Sequence, residues 1–246
     1  MILKVESSEN SLKFPYLFLF MNLAVIIAVY FIITKSVQSS ITAAITETTQ
    51  AGNAAVTQIF VNEVYPELHR DLKLDYRPDN IKTALDKEEL KRVDQRVRQF
   101  MLGTDILKVK IYNIHGITLY SSHFSQIGDN KRGTAGFDSA SKGRLVSKIT
   151  HRGKFSALDG DVFERDLVAS YIPILDKDQE IIGVAEIYTD RSLVVQFADE
   201  LITQVKTELI PSLCTILFVV AMIVWRFASY TTQLQVALRL SKQETK

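Results

Sequence analysis

The stretch LKVKIYNIHGITLYSS, residues 107–122, alternates apolar and polar side chains on either side of a His115-Gly116 pair. Period-two patterning around a glycine turn predicts a β-hairpin, residues 107–114 and 117–122, with successive side chains on opposite faces. Toward the C-terminus, residues 143–149, 165–174 and 180–188 predict three more strands, the last two separated by the turn-rich Asp176-Lys177-Asp178. Segments 128–136 and 152–161 are polar and glycine-bearing, and predict mobile loops.

Toward the N-terminus the period changes to that of a helix. Residues 87–102 place Leu90, Val93, Val97 and Met101 on one face, with Glu88, Glu89, Lys91, Arg92, Asp94, Arg96 and Arg98 as a solvated opposite face; Gly103 ends the pattern. An Arg77-Pro78-Asp79 turn precedes it. Before that, Val37, Ile41, Ala44, Ile45, Val56, Ile59, Phe60 and Val64 recur at helical spacing over residues 35–72, a stalk whose Ser-, Thr- and Ala-rich start predicts thin contacts; for residues 56–72 a helix packing on its own domain is the equal alternative. Residues 192–208 predict a last helix. Antiparallel strands between helices make an α+β domain.

Two apolar runs flank that domain. Residues 15–34, PYLFLFMNLAVIIAVYFIIT, lie in an uncharged stretch between Lys13 and Lys35 and match the roughly 20 residues needed to cross a bilayer. A cleavable signal peptide is the rival reading, but the run exceeds the usual apolar core of such a peptide and no A-x-A-like site follows. Residues 209–230, LIPSLCTILFVVAMIVWRFASY, carry Pro211 in the first turn and end in the interfacial residues Trp225, Arg226 and Tyr230. Transmembrane helices are therefore expected over residues 14–34 and 209–229. Lys4 and Lys13 precede the first, and Arg226, Arg239, Lys242 and Lys246 follow the second. That bias places residues 1–13 and 230–246 in the cytoplasm and residues 35–208 outside it, as in a two-pass protein of a bacterial inner membrane.

The composition narrows the function. A formal net charge of +1 over 246 residues gives no nucleic-acid footprint. The single cysteine, Cys214, lies in the second apolar run, so the middle domain has no thiol for a disulfide, zinc site or nucleophile. His69, His115, His123 and His151 are scattered without metal-ligand spacing and read as surface or turn residues. No nucleophile elbow or phosphate loop is present. No catalytic residue, metal or cofactor is expected.

The strands carry a resemblance. VKIYNIHGITLYSSHFSQIGDN (residues 109–130) followed by DLVASYIPILDKDQEIIGVAEIYTD (residues 166–190) resembles the Cache or PAS-like extracytoplasmic sensor domains of bacterial histidine kinases, diguanylate cyclases and chemoreceptors. It covers about residues 36–205. The resemblance implies a PAS-like antiparallel sheet with a long N-terminal helix, and a small-molecule ligand. Citrate and dicarboxylate sensors of this group place an Arg and a His in a G-x-R-L-Y-H pattern on the second strand; here Thr118 and Ser121 stand at those positions. The aromatic, arginine and aspartate set by which two-module Cache domains hold amino acids is not found.

Alternation sorts the strands into two faces. Val109, Ile111, Ile117, Leu119, Val168, Ile172, Ile174, Gly183 and Ala185 form a surface for a packed helix. Lys110, Tyr112, Thr118, Tyr120, Ser122, Tyr171, Glu186 and Tyr188 form an aromatic face with a few polar groups, the expected ligand site, where an anionic or zwitterionic ligand would need Lys110. The alternative is a partly solvent-exposed face, its tyrosines serving as strand formers and Lys110 pairing with Glu186.

The function expected from these readings is a sensory input module that passes a helix shift across the membrane to a cytoplasmic kinase, cyclase or chemotaxis output. That output lies either on a longer chain or on a partner. Near-heptad spacing of Leu234, Ala237, Leu238 and Ser241 suggests a homodimer. The alternative is a membrane-anchored scaffold whose outer domain binds another protein.

Overall fold

The computed structural model describes residues 3–72 and 87–244; the Arg77-Pro78-Asp79 turn lies outside them. The elements run α1 (Leu3–Leu72), α2 (Lys87–Met101), β1 (Ile106–Asn113), β2 (Thr118–Ser121), a 3-10 turn (Phe124–Gln126), α3 (Ala135–Ala140), β3 (Val146–Ala157), β4 (Gly160–Leu175), β5 (Ile181–Asp190) and α4 (Ser192–Glu244). The chain divides into two compact units, one formed by Ile41–Phe197 and one by the helical stretches on either side of it.

In the first unit the five strands form one sheet in the order β2-β1-β5-β4-β3, and every neighbouring pair is antiparallel. This is the α+β, PAS-like arrangement that the sequence implies. One face is covered by α2, which contributes Val93, Val97 and Met101, and by the stalk part of α1, which contributes Val56 and Phe60. They pack on Val109, Ile111, Leu119, Ile172, Ile174, Ala185 and Ile187. Phe60 and Phe100 meet with ring centroids 5.2 Å apart.

The stalk's contacts are not thin. Ile45, Thr49, Asn53 and Thr57, each four residues from the last, are all buried. Asn53 Nδ2 donates to Ser170 Oγ at 2.9 Å, and its Oδ1 accepts from Thr189 Oγ1 at 2.9 Å. Ser170 is also bonded by Ser147 at 2.8 Å. Farther along, Arg191 Nε donates to Thr49 Oγ1 at 2.9 Å, and Arg191 Nη1 to Asp105 Oδ2 at 2.6 Å. Short polar side chains here give directional bonds where apolar ones would give area. Asn53→Leu is expected to destabilise the protein by about 1–3 kcal/mol, because it leaves a buried Thr189 hydroxyl without its acceptor; chemical denaturation measures this.

Gly183 is small for a reason different from the one the pattern offered. A Cβ there would sit 2.6 Å from the Tyr112 carbonyl oxygen, so the residue makes room for the β1 backbone and not for a helix. Backbone cannot yield as a flexible side chain can. Gly183→Ala is therefore expected to cost about 1–3 kcal/mol, seen as a lower melting temperature.

Two sequence expectations are corrected. Residues 152–161 are not a loop: β3 and β4 pair from Val146–Tyr171 out to Ala157–Gly160, with only Leu158 and Asp159 between them. Polar residues over this reach, such as Lys154 and Asp161, pair with each other across the strands at 2.8 Å, so their polarity reflects an exposed hairpin. Residues 143–145 precede β3, which begins at Val146. Residues 128–134 are a loop, as expected, and the last two residues of that segment open the short helix α3, which buries Phe137 and Ala140.

In the second unit, the two helices are long and apolar enough to cross a membrane. The most apolar 18-residue stretch of α1 is 6% buried and that of α4 0%, whereas a soluble core helix would be mostly buried.

Candidate functional site

The sheet face turned away from α1 and α2 is built from neighbouring rows of β1, β5 and β4. Lys110 stands opposite Glu186, which stands opposite Tyr171; in the adjacent row Lys108 stands opposite Tyr188, and Tyr188 opposite Ala169. Tyr112 completes the group beside Val184. The Glu186 carboxylate organises it. Tyr112 OH donates to its Oε2, Tyr188 OH donates to its Oε1 at 2.7 Å, and Lys110 Nζ lies 3.7 Å from Oε2. The side chains of Lys110 and Glu186 are only 5% and 1% exposed. Lys110 and Glu186 do pair, then, but inside the domain and not on a solvated face.

Two features roof this face. From α3, Phe137 meets the Tyr112 ring edge-on at 5.9 Å, and Gly136 lets the helix lie against Tyr171, whose ring a Cβ would meet at 2.4 Å. From the β3–β4 hairpin, Phe155 packs on Tyr188 with centroids 5.0 Å apart and ring planes tilted by 48°, and its ring centroid lies 4.2 Å from the Lys108 ammonium. The hairpin bends where Glu164 takes a φ of +48°, a left-handed value uncommon outside glycine. Its tip is tied down by Leu158 N donating to Leu107 O at 2.8 Å and by Arg98 Nη1 reaching Asp159 Oδ1 at 3.2 Å.

The electrostatics follow from burial. Tyr112, Tyr171 and Tyr188 are all raised above the ordinary tyrosine range, first by burial and then by the Glu186 charge, so their hydroxyls stay protonated donors. Lys110 is lowered by burial, against the pull of Glu186. Lys108 is pushed down to about 8, by burial first and then by the neighbouring Lys110 charge.

Of the eight residues expected at the site, Lys110, Tyr112, Tyr171, Glu186 and Tyr188 come together here. Thr118 pairs with Tyr112 on the same face, but its hydroxyl donates to the Asp129 carbonyl at 3.0 Å. Tyr120 and Ser122 belong to the other face, which corrects their assignment. Between Ile111 and Tyr112 the β1–β2 register shifts, so that Tyr112 pairs with Thr118 while Ile111 pairs with Tyr120. Leu119 is the extra residue of a β-bulge, which reverses the alternation beyond it. Tyr120 OH then donates to Asp94 of α2 at 2.9 Å. Ser122 N donates to Val109 O at 3.0 Å, and Ser121 takes the place opposite Lys110.

Lys108, Phe137 and Phe155 were outside the expected set. Lys108 carries the same signal as Lys110, two positions away on one strand. Phe155 carries none, because the hairpin's bend brings it to this face.

Elsewhere, His151 bridges Asp166 and Glu164 at 3.0 Å each on an exposed strand; these two hydrogen bonds raise its pKa. Among the described residues no cluster of His, Cys, Asp and Glu could hold a metal ion.

No protein-family model matches the chain, and no curated protein matches it. Among solved structures it is similar to the sensor domain of E. coli DcuS, at 19% identity over 61% of this chain and 96% of that one, with a TM-score of 0.40. It is also similar to the sensor domain of the V. cholerae histidine kinase DctB, at 16% identity over 63% of this chain and 59% of that one, TM-score 0.33. A third is the sensory domain of the Campylobacter jejuni chemoreceptor Tlp3 with isoleucine bound, at 13% identity over 74% and 66%, TM-score 0.37.

Proposed function

We propose that this chain is a membrane-anchored sensory input module. Residues 14–34 and 209–229 span the membrane, residues 35–208 form the extracytoplasmic domain, and both termini are cytoplasmic. A small molecule binds the Lys110, Tyr112, Tyr171, Glu186 and Tyr188 face. Binding shifts the stalk relative to the exit helix, and a homodimer of the chain passes the shift to a cytoplasmic output.

The observation that carries this reading is the buried charged and phenolic cluster itself. Replacing a buried ion pair by apolar residues of similar volume is often neutral or stabilising, so stability alone does not explain such a cluster. Its position supports the reading too: it lies on the sheet face opposite the packed helices, beneath a hairpin and a short helix.

The test is a chimera in which the chain is joined at residue 246 to a histidine-kinase output in a bacterial reporter cell. The reading expects a reproducible response to at least one metabolite, lost in the Lys110→Met/Glu186→Met double variant while that protein still inserts. A chimera silent to every metabolite, with another protein captured by the outer domain instead, would favour a scaffold.

A further inference from the structure

We propose that Lys108 is the anchoring group of a subsite for a small monocarboxylate, whose carboxylate binds the buried ammonium in place of the Phe155 ring. This rests on the sensory reading above and names the ligand class at the same face.

The argument is one of charge and partners. Lys108 is 4% exposed, yet its ammonium has a ring face 4.2 Å away as its neighbour where Lys110 has a carboxylate. The acids whose charge reaches it, Glu186 and Asp161, are already engaged. Glu186 accepts from two tyrosines and pairs with Lys110. Asp161 accepts from Ser156 at 2.8 Å and pairs with Lys154 at 2.8 Å. Two buried lysines thus share one buried carboxylate, an excess of one positive charge under the roof of the site. A buried cation without an anionic partner is costly, and an arriving carboxylate supplies one. A ring face attracts a cation more weakly than a carboxylate does when water is excluded, so exchange of Phe155 for the ligand is favourable.

The same count sets selectivity. One negative charge neutralises the site, and a second, as in a dicarboxylate, would be brought against Glu186 in a region of low dielectric. Phe155 lies on the hairpin arm, paired with Val162 short of the tethered tip, so the exchange moves that arm away from Tyr188 and Lys108. Binding is thereby coupled to the position of the hairpin.

The experiment uses the full chain in detergent micelles with Trp225→Phe and Phe155→Trp, which puts an indole over Lys108. Sodium acetate and sodium succinate are titrated against sodium chloride at matched ionic strength. Acetate is expected to give a saturable fluorescence change, with succinate binding roughly tenfold or more weaker. Adding Lys108→Met should abolish the acetate response, and Lys108→Arg should restore most of it. Melting temperature serves as the control for folding, since Lys108→Met is expected to melt no lower than its parent. A response no different from chloride, an equal response in Lys108→Met, or tighter binding of succinate overturns the proposal. The two readings fail separately: if acetate does not act but a metabolite drives the chimera, only the subsite falls.

Discussion

Glu186→Ala is expected to destabilise the protein by about 3–5 kcal/mol, the cost of breaking a buried pair by removing one partner. The side chain is 1% exposed, and its loss strands the Lys110 ammonium, itself 5% exposed. It also takes the acceptor from the Tyr112 and Tyr188 hydroxyls. Chemical denaturation of the micelle-solubilised chain measures the loss. Removing both charges tells pairing from packing: Glu186→Met with Lys110→Met is expected to recover much of the stability, because Lys110 is then no longer stranded and Lys108 is the one buried lysine charge that remains. If the double variant is as unstable as the single one, the cluster is held by shape and not by charge.

Lys108→Met is expected to act in the opposite direction, raising stability near pH 7 by up to about 3 kcal/mol, the worth of moving a lysine from its ordinary value of 10.5 down to about 8. Because the folded state prefers the neutral amine, the penalty for burying the charge is fully present below pH 8, where folded and unfolded chains are both protonated. Between about 8 and 10.5 the unfolded chain holds the proton and the folded one has released it, so stability rises with pH. Wild-type protein should therefore gain stability between pH 7 and pH 9.5, and Lys108→Met should lose that contribution. Parallel pH dependences in the two proteins would show that Lys108 is solvated or already paired. A side chain that weakens the fold is a candidate for one kept for binding, which links this energetic prediction to the proposed subsite.

Much of the fold was legible because local periodicity and tertiary packing agree. Leu90, Val93, Val97 and Met101 fall on one helical face and do face the sheet, and the helix ends at Met101, just before Gly103. The pattern failed where a backbone irregularity intervened. Strict alternation put Thr118, Tyr120 and Ser122 on one face, but the bulge at Leu119 leaves Thr118 there and sends the other two to the helix side. No residue in ITLYSS announces that bulge. The β3–β4 hairpin escapes the pattern for a related reason: a solvated strand pair with Lys154 bonded to Asp161 has loop-like composition. Its bend at Glu164, and with it the reach of Phe155 over Tyr188, is a tertiary feature without a local signature. Lys108 was within reach of the sequence, since it shares strand and parity with Lys110. The early stalk goes the other way, as Thr49 and Asn53 lie in a polar stretch that reads as thinly packed but are buried.

The central claim is that the Lys-Tyr-Glu face binds a small molecule. A thermal-shift screen of the full chain in micelles against a metabolite library tests it most directly, because a ligand that binds only the native state at a hundred times its Kd adds about 2.7 kcal/mol of stability. The account predicts that small monocarboxylates raise the melting temperature of wild-type protein, and that this rise is absent in Lys108→Met. A library that stabilises neither protein, or a compound that stabilises both equally, would contradict it.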